Sequence, residues 1–330
     1  MSTFTYEFIF AMDLVAVGRH WLTTGPTTPL KSEGETLVSG QSHSAMKKLV
    51  RPSGAFAMLA LDQRESMRSM FGETQATPVS DLQIVDFKLA ALRALTPYAS
   101  AVLIDRPFAW DRAISERAVA PTCGLIAAAD HFISGRGELI TDVVIDKDFS
   151  PAKIIADGGV AMKLLVIWRP DETAEKRVAL VDDFVGRCRA HGLVSIVEPV
   201  SRKPHDGRSW DLKDGILAAA QELGNRGADL YKSEVPRHAR GAEAEVRREC
   251  AALTRAIQSQ WVVLSSGVTP DEFPNAVEWA CREGASGFLA GRAVWRGVIG
   301  EADVEQALKR DAIPRLQKLC DVVDRAVSRK

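Results

Sequence analysis

Lys232 stands inside a short run, Ala228-Asp-Leu-Tyr-Lys-Ser-Glu-Val-Pro236, where a buried strand would ordinarily hold apolar residues. Alternation puts Lys232 and Glu234 on one face of the run, with Tyr231, Ser233 and Val235 on the other. A lysine that points into a barrel or cleft loses hydration, which disfavours the ammonium and pulls its pKa down from about 10.4. The free amine can then add to a ketone and form a Schiff base. The plain alternative is a strand-end lysine whose stem packs while its head reaches water. Schiff-base chemistry also needs an acid for the departing carbinolamine hydroxyl. It needs a base for the hydroxyl proton lost when the carbon–carbon bond breaks. Glu198 suits acid/base work at the carbinolamine, or else a structural pairing with Lys232 or an arginine. Asp62 or Asp105 suits the base, or the orientation of substrate hydroxyls. Lys163, inside Ala161-Met-Lys-Leu-Leu-Val-Ile-Trp168, either disfavours a second ammonium at Lys232 or is a satisfied partner of Asp62 or Glu198.

The elements that must position these residues alternate from Ser53 onward. Apolar runs that fit buried strands are 55–61, 101–104, 125–129, 162–168, 194–197, 230–235, 261–264 and 287–290. Helical periods lie between them, clearest at 82–95, 174–191, 211–226, 243–257, 270–282 and 303–327. Residues 142–157 add a short element with a helix start at Ser150-Pro151. Eight strands in βα alternation predict a single TIM (β/α)8 barrel, an α/β fold whose chemistry sits at the carboxyl ends of its strands. An open doubly wound sheet is disfavoured, because no glycine-rich nucleotide fingerprint follows the first strand.

Read at those ends, the sequence gathers polar groups. Asp62, Gln63 and Arg64 follow the first strand, Asp105 and Arg106 the second, and Asp130 and His131 the third. Arg169 follows the fourth, Glu198 the fifth, and Lys232 lies on the sixth. Gln63, Arg64 and Asp105 are therefore candidate substrate contacts. The loops Ser265-Ser266-Gly267 and Gly291-Arg292 follow the last two strands, where this architecture often holds phosphate on backbone N–H groups. Arg292 adds a permanently charged fork. A phosphate-bearing substrate is expected.

Composition excludes several other functions. Lys plus Arg (42) nearly balances Asp plus Glu (43), so no global field recruits nucleic acid or an anionic membrane. Five scattered cysteines without a CxxC pair fit a reduced cytoplasmic protein, not a disulfide frame or zinc site. His131 and His238 lack an HxH or HExxH spacing, so no metal is expected. No cofactor is expected either. Trp168, Trp261, Trp279 and Trp295 are read as core or barrel-top packing. The charged segment 237–248 is read as a mobile loop entering a solvated helix, with a lid as the alternative. Residues 1–45 are polar and aperiodic apart from the apolar patch 8–17, and are expected to be a disordered extension preceding a domain over 46–330. Met46 would be a natural start for that domain, which suggests an upstream extension or a misassigned start. The patch is too short and too interrupted for a membrane span or signal peptide.

Five motifs carry a resemblance. They are Gly54-Ala-Phe-Ala-Met-Leu-Ala-Leu-Asp-Gln-Arg-Glu65, Gly192-Leu-Val-Ser-Ile-Val-Glu-Pro199, Gly227-Ala-Asp-Leu-Tyr-Lys-Ser-Glu-Val-Pro236, Leu264-Ser-Ser-Gly-Val268 and Gly284-Ala-Ser-Gly-Phe-Leu-Ala-Gly-Arg-Ala-Val-Trp295. In this order they resemble the class I aldolase group that contains bacterial tagatose-bisphosphate aldolase. Over residues 53–324 the likeness is greatest to its sulfoglycolytic branch, the sulfofructosephosphate aldolases. The resemblance implies a metal-independent barrel that cleaves 6-deoxy-6-sulfofructose 1-phosphate to dihydroxyacetone phosphate and sulfolactaldehyde in sulfoquinovose degradation. It implies that Lys232 is the Schiff-base lysine, that Arg292 and Ser265-Ser266-Gly267 bind an anion, and that the chain forms a homo-oligomer. A carbon-bound sulfonate is a monoanion and needs less positive charge than a phosphate ester. Arg64, Arg106, Arg169 and Arg202 are candidates for that end. Two other readings are an aldolase for tagatose or fructose 1,6-bisphosphate and a non-catalytic barrel that binds a sugar phosphate.

Overall fold

The structure is a computed structural model and describes residues 44–328. The expected extension, residues 1–45, lies outside them except for its last two residues. Eight strands form a closed, all-parallel barrel. Around it they run β1 (Phe56–Leu61), β2 (Ala101–Asp105), β3 (Gly124–Ala128), β6 (Ala161–Trp168), β7 (Val194–Ser201), β8 (Leu230–Ser233), β9 (Gln260–Val263) and β10 (Gly287–Ala290), which pairs back onto β1. This is the predicted TIM barrel. The continuous apolar runs became these strands because both of their faces are buried, one by the barrel interior and one by the helices.

The two faces separate by parity. Phe56, Met58, Ala101, Leu103, Ile126, Ala161, Ile196, Leu230, Val262 and Leu289 pack into one cluster inside the barrel. Their alternates, among them Ala57, Leu59, Val102, Leu164, Val197 and Tyr231, belong to the cluster shared with the helices. Continuing the inner parity towards the carboxyl ends reaches Asp62, Asp105, Asp130, Lys163, Glu198, Lys232 and Gly291. The lower layers are therefore apolar and the top layer is ionic. That layering follows from the two-residue period of a strand and places the chemistry at the usual end of the fold.

Three departures from expectation have physical causes. An antiparallel hairpin, β4 (Asp130–Gly135) and β5 (Glu138–Ile145), is inserted between β3 and β6, where the sequence suggested a loop and one short element. It turns at Arg136 and Gly137, both at positive φ. The helix expected over 303–327 is interrupted by a π-helical turn at Leu308–Ala312 before Ile313–Val327. Pro314 explains the break, because proline lacks an N–H and clashes with the carbonyl four residues back. The segment after β8 forms a tight turn at Pro236–Ala239, with Arg237, His238 and Ala239 at positive φ, before the helix Glu243–Ala256. Several helices start at side-chain caps, such as Ser80 accepting from Gln83 N–H and Ser150 from Lys153 N–H. No helix among the described residues is long and apolar enough to cross a membrane.

Candidate active site

Lys163 is the hub of the barrel top. Its fully buried Nζ lies 2.6 Å from Asp62 Oδ2, 2.7 Å from Asp130 Oδ2 and 3.3 Å from Glu198 Oε2. Three strands beside or across from β6 supply those carboxylates, each at an inner position. Burial by itself disfavours the Lys163 ammonium, but Asp130, Asp62 and Glu198 outweigh it and hold the pKa well above the ordinary lysine value. Burial likewise pushes the Asp62 carboxyl up, and Lys163, Lys232 and Arg64 more than reverse the effect. Of the two roles weighed for Lys163, the geometry has it paired with both Asp62 and Glu198.

Lys232 reaches the same network through Glu198. Val197 is in register with Tyr231, so the next residues along β7 and β8 stand side by side, and Lys232 Nζ lies 2.9 Å from Glu198 Oε1. Both residues are more than nine-tenths buried. The structure thus joins Lys232, Glu198, Lys163 and Asp62 in one chain of contacts. Asp130, absent from the sequence-derived candidates, links Arg64 to it: Arg64 Nη2 donates to Asp130 Oδ1 at 2.9 Å, and Leu165 N–H donates to Oδ2 at 3.1 Å. The signal for Asp130 was its parity with Ile126 and Ala128. The hairpin contributes Phe132, whose ring centroid lies 4.2 Å from the Arg64 guanidinium carbon. Among the described residues Gln63 Oε1 and Arg64 Nε are buried with no hydrogen-bond partner, and Glu198 Oε2 has only its ion-pair contact with Lys163.

Asp105 is placed differently. It is fully buried, forms an ion pair with Lys88 from the helix Asp81–Leu95, and accepts from Phe108 N–H at 3.0 Å. Its two oxygens are thus taken by a structural partner and a helix cap. The four arginines considered for the distal anion are each near a carboxylate. Arg64 meets Asp130 at 2.9 Å, Arg106 meets Asp146 at 2.8 Å, Arg169 meets Glu138, and Arg202 lies 3.7 Å from Glu234. Glu234 is buried, accepts from Ser201 N–H at 2.8 Å, and is pushed up to about 7 by burial, with Arg202 opposing.

The last two strands end in the expected loops. Ala293 N–H donates to Ser265 Oγ at 3.4 Å and bridges them. Gly291 is required where it stands, since a Cβ would come within 2.2 Å of the Ala60 carbonyl oxygen and 2.8 Å of Trp295 Nε1. Trp295 Nε1 itself donates to that carbonyl at 2.9 Å, locking the β10 loop against β1. Among the described residues Arg292 has no ion-pair partner, although Glu198 and Asp62 act on it electrostatically. Ser266 and Gly267 are more open than buried Ser265. Among the described residues no group of three or more His, Cys, Asp or Glu side chains is disposed to hold a metal ion. The carboxylates that converge here surround an ammonium.

A family model described as DeoC/LacD family aldolase matches residues 56–297. The chain belongs to the DeoC/LacD aldolase family. As a DeoC/LacD aldolase it is a lyase. Tagatose 1,6-diphosphate aldolase of Listeria monocytogenes is 30% identical over 315 residues, covering 84% of this chain and 90% of its own. Among solved structures, fructose-bisphosphate aldolase from Slackia heliotrinireducens superposes with a TM-score of 0.65 at 16% identity, over 91% of this chain and 94% of its own. An archaeal fructose-1,6-bisphosphate aldolase, with its catalytic lysine bound to the carbinolamine intermediate of the substrate, gives 0.58 at 15% identity, over 85% and 99%. At these identities the two structures establish the shared fold.

Proposed function

We propose that this DeoC/LacD aldolase works through a Schiff base on Lys232 and cleaves a ketose 1-phosphate, releasing dihydroxyacetone phosphate. The observation that carries the reading is the Lys232–Glu198–Lys163–Asp62 chain, an amine nucleophile held 2.9 Å from a carboxylate inside a buried ionic layer. Lys232 Nζ, after passing a proton to Glu198 Oε1 at 2.9 Å, adds to the C2 ketone, and a proton moves from the adding nitrogen to the ketone oxygen to give the carbinolamine. Glu198 protonates that hydroxyl, which leaves as water and gives the iminium. The C4 hydroxyl then loses its proton to a carboxylate, with Asp62 best placed by its position on β1. The C3–C4 bond breaks, the aldehyde departs, and the electron pair is taken up by the iminium as an enamine. Protonation at C3 and addition of water return dihydroxyacetone phosphate and the free amine. Lys163 holds Asp62, Asp130 and Glu198 in place while this happens and helps keep the Asp62 pKa below the usual carboxylate value. Gln63 Oε1 and Arg64 Nε, without a hydrogen-bond partner among the described residues, are offered to substrate hydroxyls, since leaving such a group unsatisfied costs about 1–3 kcal/mol.

Ser265, Ser266, Gly267, Gly291 and Arg292 would hold the C1 phosphate, Arg292 having no ion-pair partner among the described residues. For the other end we infer a sulfonate, with 6-deoxy-6-sulfofructose 1-phosphate as substrate and sulfolactaldehyde as second product. The support is that Arg64, Arg106, Arg169 and Arg202 are each already matched with a carboxylate, which leaves little net positive charge for a second dianion. The name of the Listeria relative favours the second reading, tagatose or fructose 1,6-bisphosphate. Five buried, scattered cysteines without a CxxC pair fit a reducing, cytoplasmic setting. Initial rates of dihydroxyacetone phosphate release from the three sugars decide between them. The sulfonated sugar should give the highest kcat/KM, and a bisphosphate ahead by tenfold would overturn that substrate while keeping the mechanism.

A further inference from the structure

Arg237, His238 and Ala239 are three consecutive non-glycine residues at positive φ, 55°, 52° and 60°. A Cβ disfavours this left-handed backbone, so a run of three is imposed by its surroundings. The run leaves the Lys232 strand and lays His238 against the loop after β9. A Cβ added at Gly267 would stand 2.4 Å from His238 Cε1 and 2.5 Å from its Cδ2 and Cγ, so the imidazole lies face-on over the Gly267 backbone. Any side chain at 267 would displace the ring. The charges that act on His238 are all cationic: Arg240 on its own segment, Arg202 beyond β7 and Arg292 beyond β10. Acidic groups of the flanking elements, Glu249, Glu245 and Asp211, act instead on Arg237, which bonds Glu249 at 2.7 Å. Among the described residues the His238 ring nitrogens have no hydrogen-bond partner. Buried Glu234 interacts with Arg202 and Arg292, but among the described residues the charges that act on the imidazole itself are those of arginines, a setting that suits an anion.

We propose that His238 is a further substrate-binding residue, capping the anion held by Arg292 and the Ser265–Gly267 loop and binding it as the imidazolium. The assignment rests on the aldolase reading of this site. In the empty site burial, then Arg240, Arg202 and Arg292, hold the imidazole pKa below its usual value, so the ring is neutral near pH 7. A bound dianion reverses the balance and the site takes up a proton. Affinity is therefore highest below the empty-site pKa and falls as pH rises through that of the complex.

Inorganic sulfate is the probe, because its charge does not change over the range and any proton taken up belongs to the protein. Glu234, raised to about 7 and interacting with Arg202 and Arg292, titrates in the same window, so the measurements are made in a Glu234→Gln background. Calorimetry in two buffers of different ionisation heat should show that protein taking up a fraction of a proton per sulfate near pH 7. Affinity should fall about tenfold between about pH 6 and about pH 8.5, the effect of one unit of pKa change on binding. His238→Gln in the same background should bind sulfate without proton uptake or pH dependence. In turnover it should raise KM for the phosphorylated ketose more than it lowers kcat, and most at low pH. Proton uptake that persists in the double variant, or sulfate binding by Glu234→Gln without uptake, or no sulfate binding at all, overturns the assignment. The Glu234→Gln measurement stands even if the double variant does not fold. Borohydride trapping of dihydroxyacetone phosphate on wild type reports separately on the Schiff base, so failure of the aldolase reading is distinguishable from failure of this one.

Discussion

Lys163→Met removes a cation that touches three carboxylates, and the structure says which of them suffers. Asp130 keeps Arg64 and the Leu165 N–H, and Glu198 keeps Lys232. Asp62 has Lys163 as its only direct ion-pair partner among the described residues and is left as a buried carboxylate on which Lys232 and Arg64 act without a direct ion pair. Breaking a buried pair in this way costs about 3–5 kcal/mol. Asp62 can escape by taking a proton, which from an unfolded pKa of about 3.9 costs about 4 kcal/mol at pH 7 and about 1.5 kcal/mol at pH 5. In wild type the Asp62 pKa is held low, so its stabilisation is complete above about pH 4 and lost only below it. The deficit of the variant should therefore be about 4 kcal/mol at pH 7 and shrink by more than half at pH 5. Urea unfolding followed by tryptophan fluorescence at the two pH values measures it. The double variant Lys163→Met/Asp62→Asn should recover about 2 kcal/mol or more of the loss at pH 7. A deficit below about 1 kcal/mol, or one equal at both pH values, would refute the reasoning.

Other consequences are as direct. Glu234, raised from 4.5 to about 7, carries a folding contribution that is complete below its unfolded pKa and lost as pH rises through about 7. Glu234→Gln should therefore match wild type at about pH 4 and exceed it above pH 8, by up to about 3 kcal/mol at 1.36 kcal/mol per unit, in thermal melts across that range. Asp105→Asn strands the buried Lys88 and should cost about 3–5 kcal/mol in stability, with the folded fraction keeping a wild-type KM; a raised KM would return Asp105 to the substrate contacts. Gly291→Ala drives a Cβ into the Ala60 carbonyl and should cost about 1–3 kcal/mol while moving the β10 loop, visible as weakened binding of dihydroxyacetone phosphate.

The barrel was legible because strands buried on both faces write themselves as continuous apolar runs: the run at 162–168 became Ala161–Trp168 and that at 287–290 became β10 unchanged. Inner parity then carried Asp62, Lys163, Glu198 and Lys232 to one layer, which is why a reading by strand ends found them. The hairpin was missed because β5 is half-exposed and shares no pairing with the barrel; the Gly135-Arg-Gly137 turn was its signal. Lys88 was invisible because it sits among Ile84, Phe87 and Leu92 in a helix whose periodicity says nothing about a lysine's partner. His238 gave no sign either. Arg, His and Ala do not announce left-handed backbone, and its place over Gly267 comes from the packing of two loops.

The central claim is that Lys232 is the nucleophile. Incubating the protein with dihydroxyacetone phosphate, reducing with borohydride and mapping the adduct by peptide mass spectrometry tests it most directly. The account predicts one adduct, on Lys232, absent from Lys232→Ala and unaffected by EDTA. An adduct on Lys163 or Lys88, or none on a folded and anion-binding protein, would contradict it.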